Sequence, residues 1–205
     1  MFVGYKRLKI QAYNEDGTKK GDQIIVEGQS HKGATTTAEI SGLAKDASTV
    51  AGSNIDYYIS RGGLGEVKVA LGILDLPEAS ADILSGFRKD ASGITYGGED
   101  TMPPYCAIEM ETKEDTGEVA LIGFFKGVFT RDKISLETLD STKTFKPEAD
   151  AWTFKPASSM ATETNGEVMQ KFIGDTTTDK DTIATFEKQL FGDATTTPVA
   201  DGKTE

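Results

Sequence analysis

IDYYISRGGLGEVKVALGILDLP, residues Ile55 to Pro77, reads as a strand, a glycine-rich turn and a second strand closed by a proline stop. In the second strand Val67, Val69, Leu71 and Ile73 fall two apart, which puts four apolar side chains on one face of a sheet. Arg61-Gly62-Gly63-Leu64-Gly65 has the glycines of a phosphate cradle, but a strand follows where a helix N-terminus is required, so the segment reads as a hairpin turn. Pro77 opens a predicted helix to about Arg88, with Ile83, Leu84 and Phe87 as its apolar stripe and Asp75 as a cap. The core is therefore expected to be sheet-built, with one helix packed on it.

Toward the N-terminus the same period recurs. Gly4 to Tyr13 carries Leu8, Ile10 and Ala12 inward, Asn14-Glu15-Asp16-Gly17 supplies turn residues, and Gln23 to Glu27 resumes an apolar run, which together predict an opening hairpin. Thr35 to Ile40 is β-branched and reads as a third strand. The polar stretch Ser41 to Asn54 predicts a long exposed loop, a length usually kept for function and hence a candidate contact element.

Toward the C-terminus, Tyr105 to Thr112 alternates with Cys106, Ile108 and Met110 on one side and Glu109 and Glu111 on the other, the second side reading as solvated. Lys113 to Glu118 is a tight turn into Val119 to Phe129, where adjacent Phe124 and Phe125 make both faces apolar. Such a strand is either central beneath another layer or set against a neighbouring subunit. Lys133 to Leu139 continues the pattern with Ile134 and Leu136 two apart. Phe145-Lys146-Pro147 and Phe154-Lys155-Pro156 bracket the single tryptophan, Trp152, and Glu167 to Ile173 reads as one more strand. Ile183, Phe186, Leu190 and Phe191 mark a helix over about 179–191 that stops at Gly192. The chain thus divides into a folded unit, 1–192, and a polar, threonine-rich tail, 193–205, expected to be mobile unless an assembly orders it.

Composition and motifs argue against most chemistry. A chain of 205 residues buries roughly 70% of the surface its unfolded form exposes. One cysteine allows no internal disulfide and suits a cytosolic assembly route. Met1 to Gln11 lacks the apolar run of a signal peptide, and no window approaches the ~20 apolar residues of a membrane span. Acidic residues outnumber basic ones 33 to 22, a net charge of −11 that disfavours a general nucleic-acid binder. With His31 alone, on a polar flank, neither a nucleophile–histidine device nor a histidine-based zinc site is set up. Cys106 reads as a small core hydrophobe. Asp115-Thr116-Gly117 matches the aspartic-protease tripeptide but lies in a solvated charge cluster and reads as a turn. Asp175, Asp179, Asp181 and Glu187 offer oxygens for calcium without the spacing of an EF-hand, and helix capping explains them more simply. Catalytic, cofactor-binding and metal-binding residues are accordingly expected to be none.

Several of these segments together resemble a known family. Tyr57 to Pro77, Gly98-Glu99-Asp100-Thr101 leading through Pro103-Pro104-Tyr105 to Glu109 and Glu111-Thr112, and Gly123-Phe124-Phe125-Lys126-Gly127-Val128-Phe129 are similar to the major tail protein (tail tube) family of long-tailed, non-contractile bacteriophages. So is the opening, Val3-Gly4-Tyr5-Lys6-Arg7-Leu8 followed by Val26-Glu27-Gly28 and Lys32-Gly33. The resemblance runs from Phe2 to Gly192 and leaves the tail outside it. It implies a mainly-β sandwich or barrel of the tail-tube type, a structural virion protein with no catalysis. It further implies hexameric rings of this chain stacked into the conduit for DNA ejection and assembled in the host cytoplasm. Implied partners are the chain itself, tape measure and tail terminator proteins, and DNA in transient passage; no membrane is implied. From the acidic balance, carboxylates facing the lumen are expected to repel the duplex, at short range because the Debye length is about 8 Å at physiological salt. The alternative is a carbohydrate-binding β-sandwich with Tyr58, Tyr96 and Trp152 along one groove. A glycosidase built on Glu109 and Glu111 is set aside because the two share one face of one strand.

Overall fold

The computed structural model describes residues 1–192 apart from 61, 137, 139–141, 143 and 145; the expected tail, 193–205, lies outside the described residues. β1 (Phe2–Ala12) turns at Asn14 to Gly17 and returns as β2 (Ile24–Val26), with Leu8 opposite Val26 and Ile10 opposite Ile24. The opening hairpin forms as the alternation requires. β3 (Ala34–Ser41) and β6 (Lys68–Leu74) pair antiparallel, and β6 also pairs with β11 (Asp150–Ala157). β9 (Cys106–Glu114) and β10 (Val119–Thr130) form the second hairpin, turning through Asp115 to Gly117. The order across the sheet is β2-β1-β9-β10-β11-β6-β3, and β12 (Met169–Gly174) joins the first half of β10. This mainly-β sheet curls into a half-barrel accompanied by two helices. The curl brings β3 back toward β1, where Thr35 Oγ1 donates to the Tyr5 carbonyl at 2.8 Å.

The concave side holds the main core. Val67, Val69, Leu71 and Ile73 are all buried there, as their spacing demanded, together with Leu8, Ile10, Ile108 and Phe124. Trp152, Phe129 and Phe154 form an aromatic cluster in which Phe129 meets Trp152 edge-on at 6.2 Å and Phe154 at a tilt at 4.9 Å between ring centroids. Each such burial stabilises by about 1.5–3 kcal/mol. α1 (Glu78–Ser85) closes this core through Ala81 and Leu84. On the opposite face Ala107, Val119 and Leu121 lie beneath α2 (Lys180–Phe191), which contributes Phe186, Leu190 and Phe191. The two-sided apolarity of β10 is thus explained by its central place beneath another layer. Gly123 is the seat of α2, since a Cβ there would stand 2.8 Å from Leu190 Cδ2.

Four expectations are corrected, and one strand is added. Ile55 to Ile59 does not form a hairpin with β6: as β5 (Ile55–Ile59) it pairs with β4 (Thr49–Gly52), inside the stretch expected to be loop. The reason lies at Ser53 and Asn54, whose φ of 54° and 64° make the two-residue turn whose twist matches paired strands. The glycine-rich segment after it is a connection instead. The first helix stops at Ser85, because Gly86 takes the left-handed conformation with φ of 73°, and Arg88–Lys89 becomes β7, pairing with β8 (Thr95–Tyr96). Asp75 does not cap that helix, since Pro77 occupies the N-cap position with no side-chain hydrogen bond. Of the expected segment Lys133 to Leu139, residues 137 and 139 lie outside the described residues, and among the described ones Ile134 and Leu136 are exposed and belong to no strand, β10 ending at Thr130. β11 is a strand that was not expected; its Pro156 sits near the strand's end, opposite Gly127.

Candidate interaction site

Three features stand out once the core is accounted for. The first is the β4–β5 ribbon. Ser60 N donates to the Ser48 carbonyl at 2.9 Å and pins its base, while Val50, Ile55, Tyr57, Tyr58 and Ile59 are all exposed, Tyr57 by 80%. Five large apolar side chains on one projecting ribbon exceed what a solvated hairpin needs and mark a contact surface.

The second is an uncovered sheet face. Ile40, Val69, Phe154 and Phe129 make one row across β3, β6, β11 and β10 and point into the core. The next row, Glu39, Ala70, Thr153 and Thr130, points the other way, and no helix among the described residues covers it. Its side chains are short and mostly polar, without the aromatic anchors of a tight protein interface. Among the described residues neither border of this four-stranded stretch carries a further ladder along its length. β3 is laddered only to β6, its first residues touching β1 where Thr35 bonds to Tyr5, and the ladder of β10 with β9 ends at Gly127 opposite Cys106, leaving Val128 to Thr130 paired on the β11 side alone.

The third is a charge network on the face that was expected to be wet. Lys9 stands directly opposite Glu109 and Arg7 opposite Glu111 in the β1–β9 ladder. Glu109 is only 1% exposed, and Lys9 Nζ reaches its Oε1 at 2.9 Å and Glu187 Oε1 on α2 at 2.5 Å. Arg7 and Lys6 both pair with Glu111, and Arg7 reaches Glu27. Burial pushes the Glu109 carboxyl above the ordinary range, more than Lys9 pulls it down, while its Oε2 has no hydrogen-bond partner. Lys9 is drawn toward the neutral form by burial, but hydrogen bonds to Glu187 and Glu109 outweigh that and raise it. At Glu111 burial is likewise overcome, by the hydrogen bond from Lys6 and the charges of Arg7 and Lys6, so this carboxyl is lowered. The cause of the error is α2: alternation shows that two faces differ, not that a helix from the chain's other end will cover one of them.

The remaining candidates sort plainly. Cys106 is buried, and desolvation pushes its thiol up to about 12. A thiol reagent at neutral pH is expected to leave the native chain unlabelled and to label one group per chain in denaturant. His31 is an exposed loop residue. Asp115 and Gly117 lie in the β9–β10 turn. Asp175 Oδ1 accepts from the Thr177 and Thr178 amides ahead of α2, whereas Asp179, at the N-cap, makes no capping bond; no group of three or more metal-ligating side chains gathers among the described residues. Tyr58 and Tyr96 are exposed but Trp152 is buried in the core, so the aromatic groove of a carbohydrate module is not built. No helix among the described residues is long and apolar enough to cross a membrane.

A family model described as phage tail tube protein matches residues 6–197. That match runs past Gly192 into the segment set aside as a tail. Comparisons with curated proteins and with solved structures give no match.

Proposed function

The chain belongs to the phage tail tube protein family, a structural family of the virion tail, and on that premise we propose that it is the repeating subunit of the tube. Copies join into hexameric rings, and rings stack into the conduit through which DNA leaves the particle. The observation that carries this reading is the four-stranded stretch β3-β6-β11-β10 with both borders open among the described residues. Open borders are templates for further strands. Joining the β3 border of one copy to the β10 border of the next extends the sheet around a ring, with its uncovered face toward the axis and its cores and helices outside. The small residues Ala70, Thr153 and Thr130 at its middle leave the bore room there.

Stacking is assigned to the β4–β5 ribbon, which is long enough to leave the body of the subunit and apolar enough to seat on another ring. The reading leaves no role for catalysis. Assembly in the host cytoplasm, with tape measure and terminator proteins setting length and end, completes it. Negative-stain microscopy of the purified chain tests the proposal. Rings or hollow rods are expected, and a protein that stays monomeric at high concentration and in the presence of its tail partners would refute it.

A further inference from the structure

Resting on the reading that the uncovered face lines the channel, we propose that Lys68 and Lys155 form a phosphate-contact pair on that wall, touching the backbone of the duplex as it passes. The β6–β11 ladder ends at Val69 opposite Phe154, both in the core; Lys68 and Lys155 are the next residue of each strand, and both are exposed on the other side of the sheet. Like charges directly opposed on a sheet destabilise it. In a chain with 33 acidic residues a carboxylate partner would be easy to supply, yet neither ammonium has one among the described residues. Glu39, opposite Ala70, is the one carboxylate on the exposed side of these strands, and Lys126, opposite Ala157 with its ammonium over the Tyr105 ring, is a third lysine there, so the face carries three cations to one anion although the whole chain carries −11. An acidic wall, expected from net charge alone, is not what this face presents. The unpaired lysines fit an anion that arrives from outside, and in a conduit for DNA that anion is the phosphodiester backbone. Contacts of this kind are independent of base sequence and weaken with salt, so they brake or align a moving duplex without holding it.

Tubes assembled from the purified chain, titrated with a short fluorescent DNA duplex across a salt series, test the pair. The double variant Lys68→Gln/Lys155→Gln is expected to bind about tenfold more weakly, with the slope of log affinity against log salt shallower by about two. Lys32→Gln, in an exposed loop, is expected to change neither. Equal affinity and slope in the double variant, or tubes that bind no duplex at all, would overturn the proposal. Reactivity of the lysines toward a small amine reagent separates its failure from that of the channel reading. If Lys68 and Lys155 become protected on tube formation without DNA, or the double variant no longer assembles, the face is a subunit contact and both ideas fall. If they stay reactive while binding is unchanged, only the phosphate contact falls.

Discussion

Lys9→Met will lower the stability of the folded chain by about 3–5 kcal/mol, because it leaves Glu109 buried and charged with no counter-ion. The methionine fills the same space, so the loss is electrostatic. Glu109 is 1% exposed and already has one oxygen without a partner, and Lys9 also ties α2 to the sheet through Glu187. Restoring balance by the double change Lys9→Met/Glu109→Leu should recover most of the loss, since an apolar pair of similar volume needs no desolvation. Urea unfolding of the two variants measures this; equal destabilisation by both would mean that the network is not what seats the helix. The pH dependence has two opposing parts. The raised Glu109 binds its proton more tightly in the folded chain, so its contribution declines as pH rises from 4.5 through the raised value. The lowered Glu111 contributes stability above 4.5 that is lost as pH falls through its folded value. The stability gap between the parent and Glu111→Gln is therefore expected to shrink as the solution is acidified.

Excision of residues 49–59 will abolish tube formation while leaving a folded subunit. The ribbon makes no part of either core, and Ser48 and Ser60 are already hydrogen-bonded at its base, so the cut ends rejoin without strain. Surface changes of this kind alter stability by roughly 0.5 kcal/mol or less, whereas losing the five exposed apolar side chains removes the proposed ring-to-ring contact. Calorimetry and sedimentation together read both effects. Normal tubes from the excised chain would show that stacking uses another surface; a chain that fails to fold would show that the ribbon is part of the core.

How far the sequence carried this structure depended on how local each cause was. Alternation over Val67 to Ile73, over Leu8 to Ala12 and over Cys106 to Met110 identified the core strands, because period two is a property of neighbours along the chain. Phe186, Leu190 and Phe191 identified the last helix in the same way. Strand partners were not legible. The pairing of β5 with β4 rests on the twist of Ser53 and Asn54, a weak signal beside the three glycines among residues 61–65, which read as the more obvious turn. The open face of β3, β6 and β11 depends on β11, a strand that is not among those expected from alternation. Glu109 looked solvated because α2, joined to it through Lys9 and Glu187, lies more than 60 residues away in sequence, and Glu111 because its partners Lys6 and Arg7 are on another strand.

Amide hydrogen exchange, compared between isolated subunits and assembled tubes, tests most directly whether sister copies complete the sheet. Amides of residues 34–41 and 128–130 that lie on the open borders should exchange freely in the subunit and gain protection of several orders of magnitude in the tube, while those of β9 stay protected in both. Equal exchange along both borders in the two states would contradict a continuous sheet and leave the subunits joined by side chains alone.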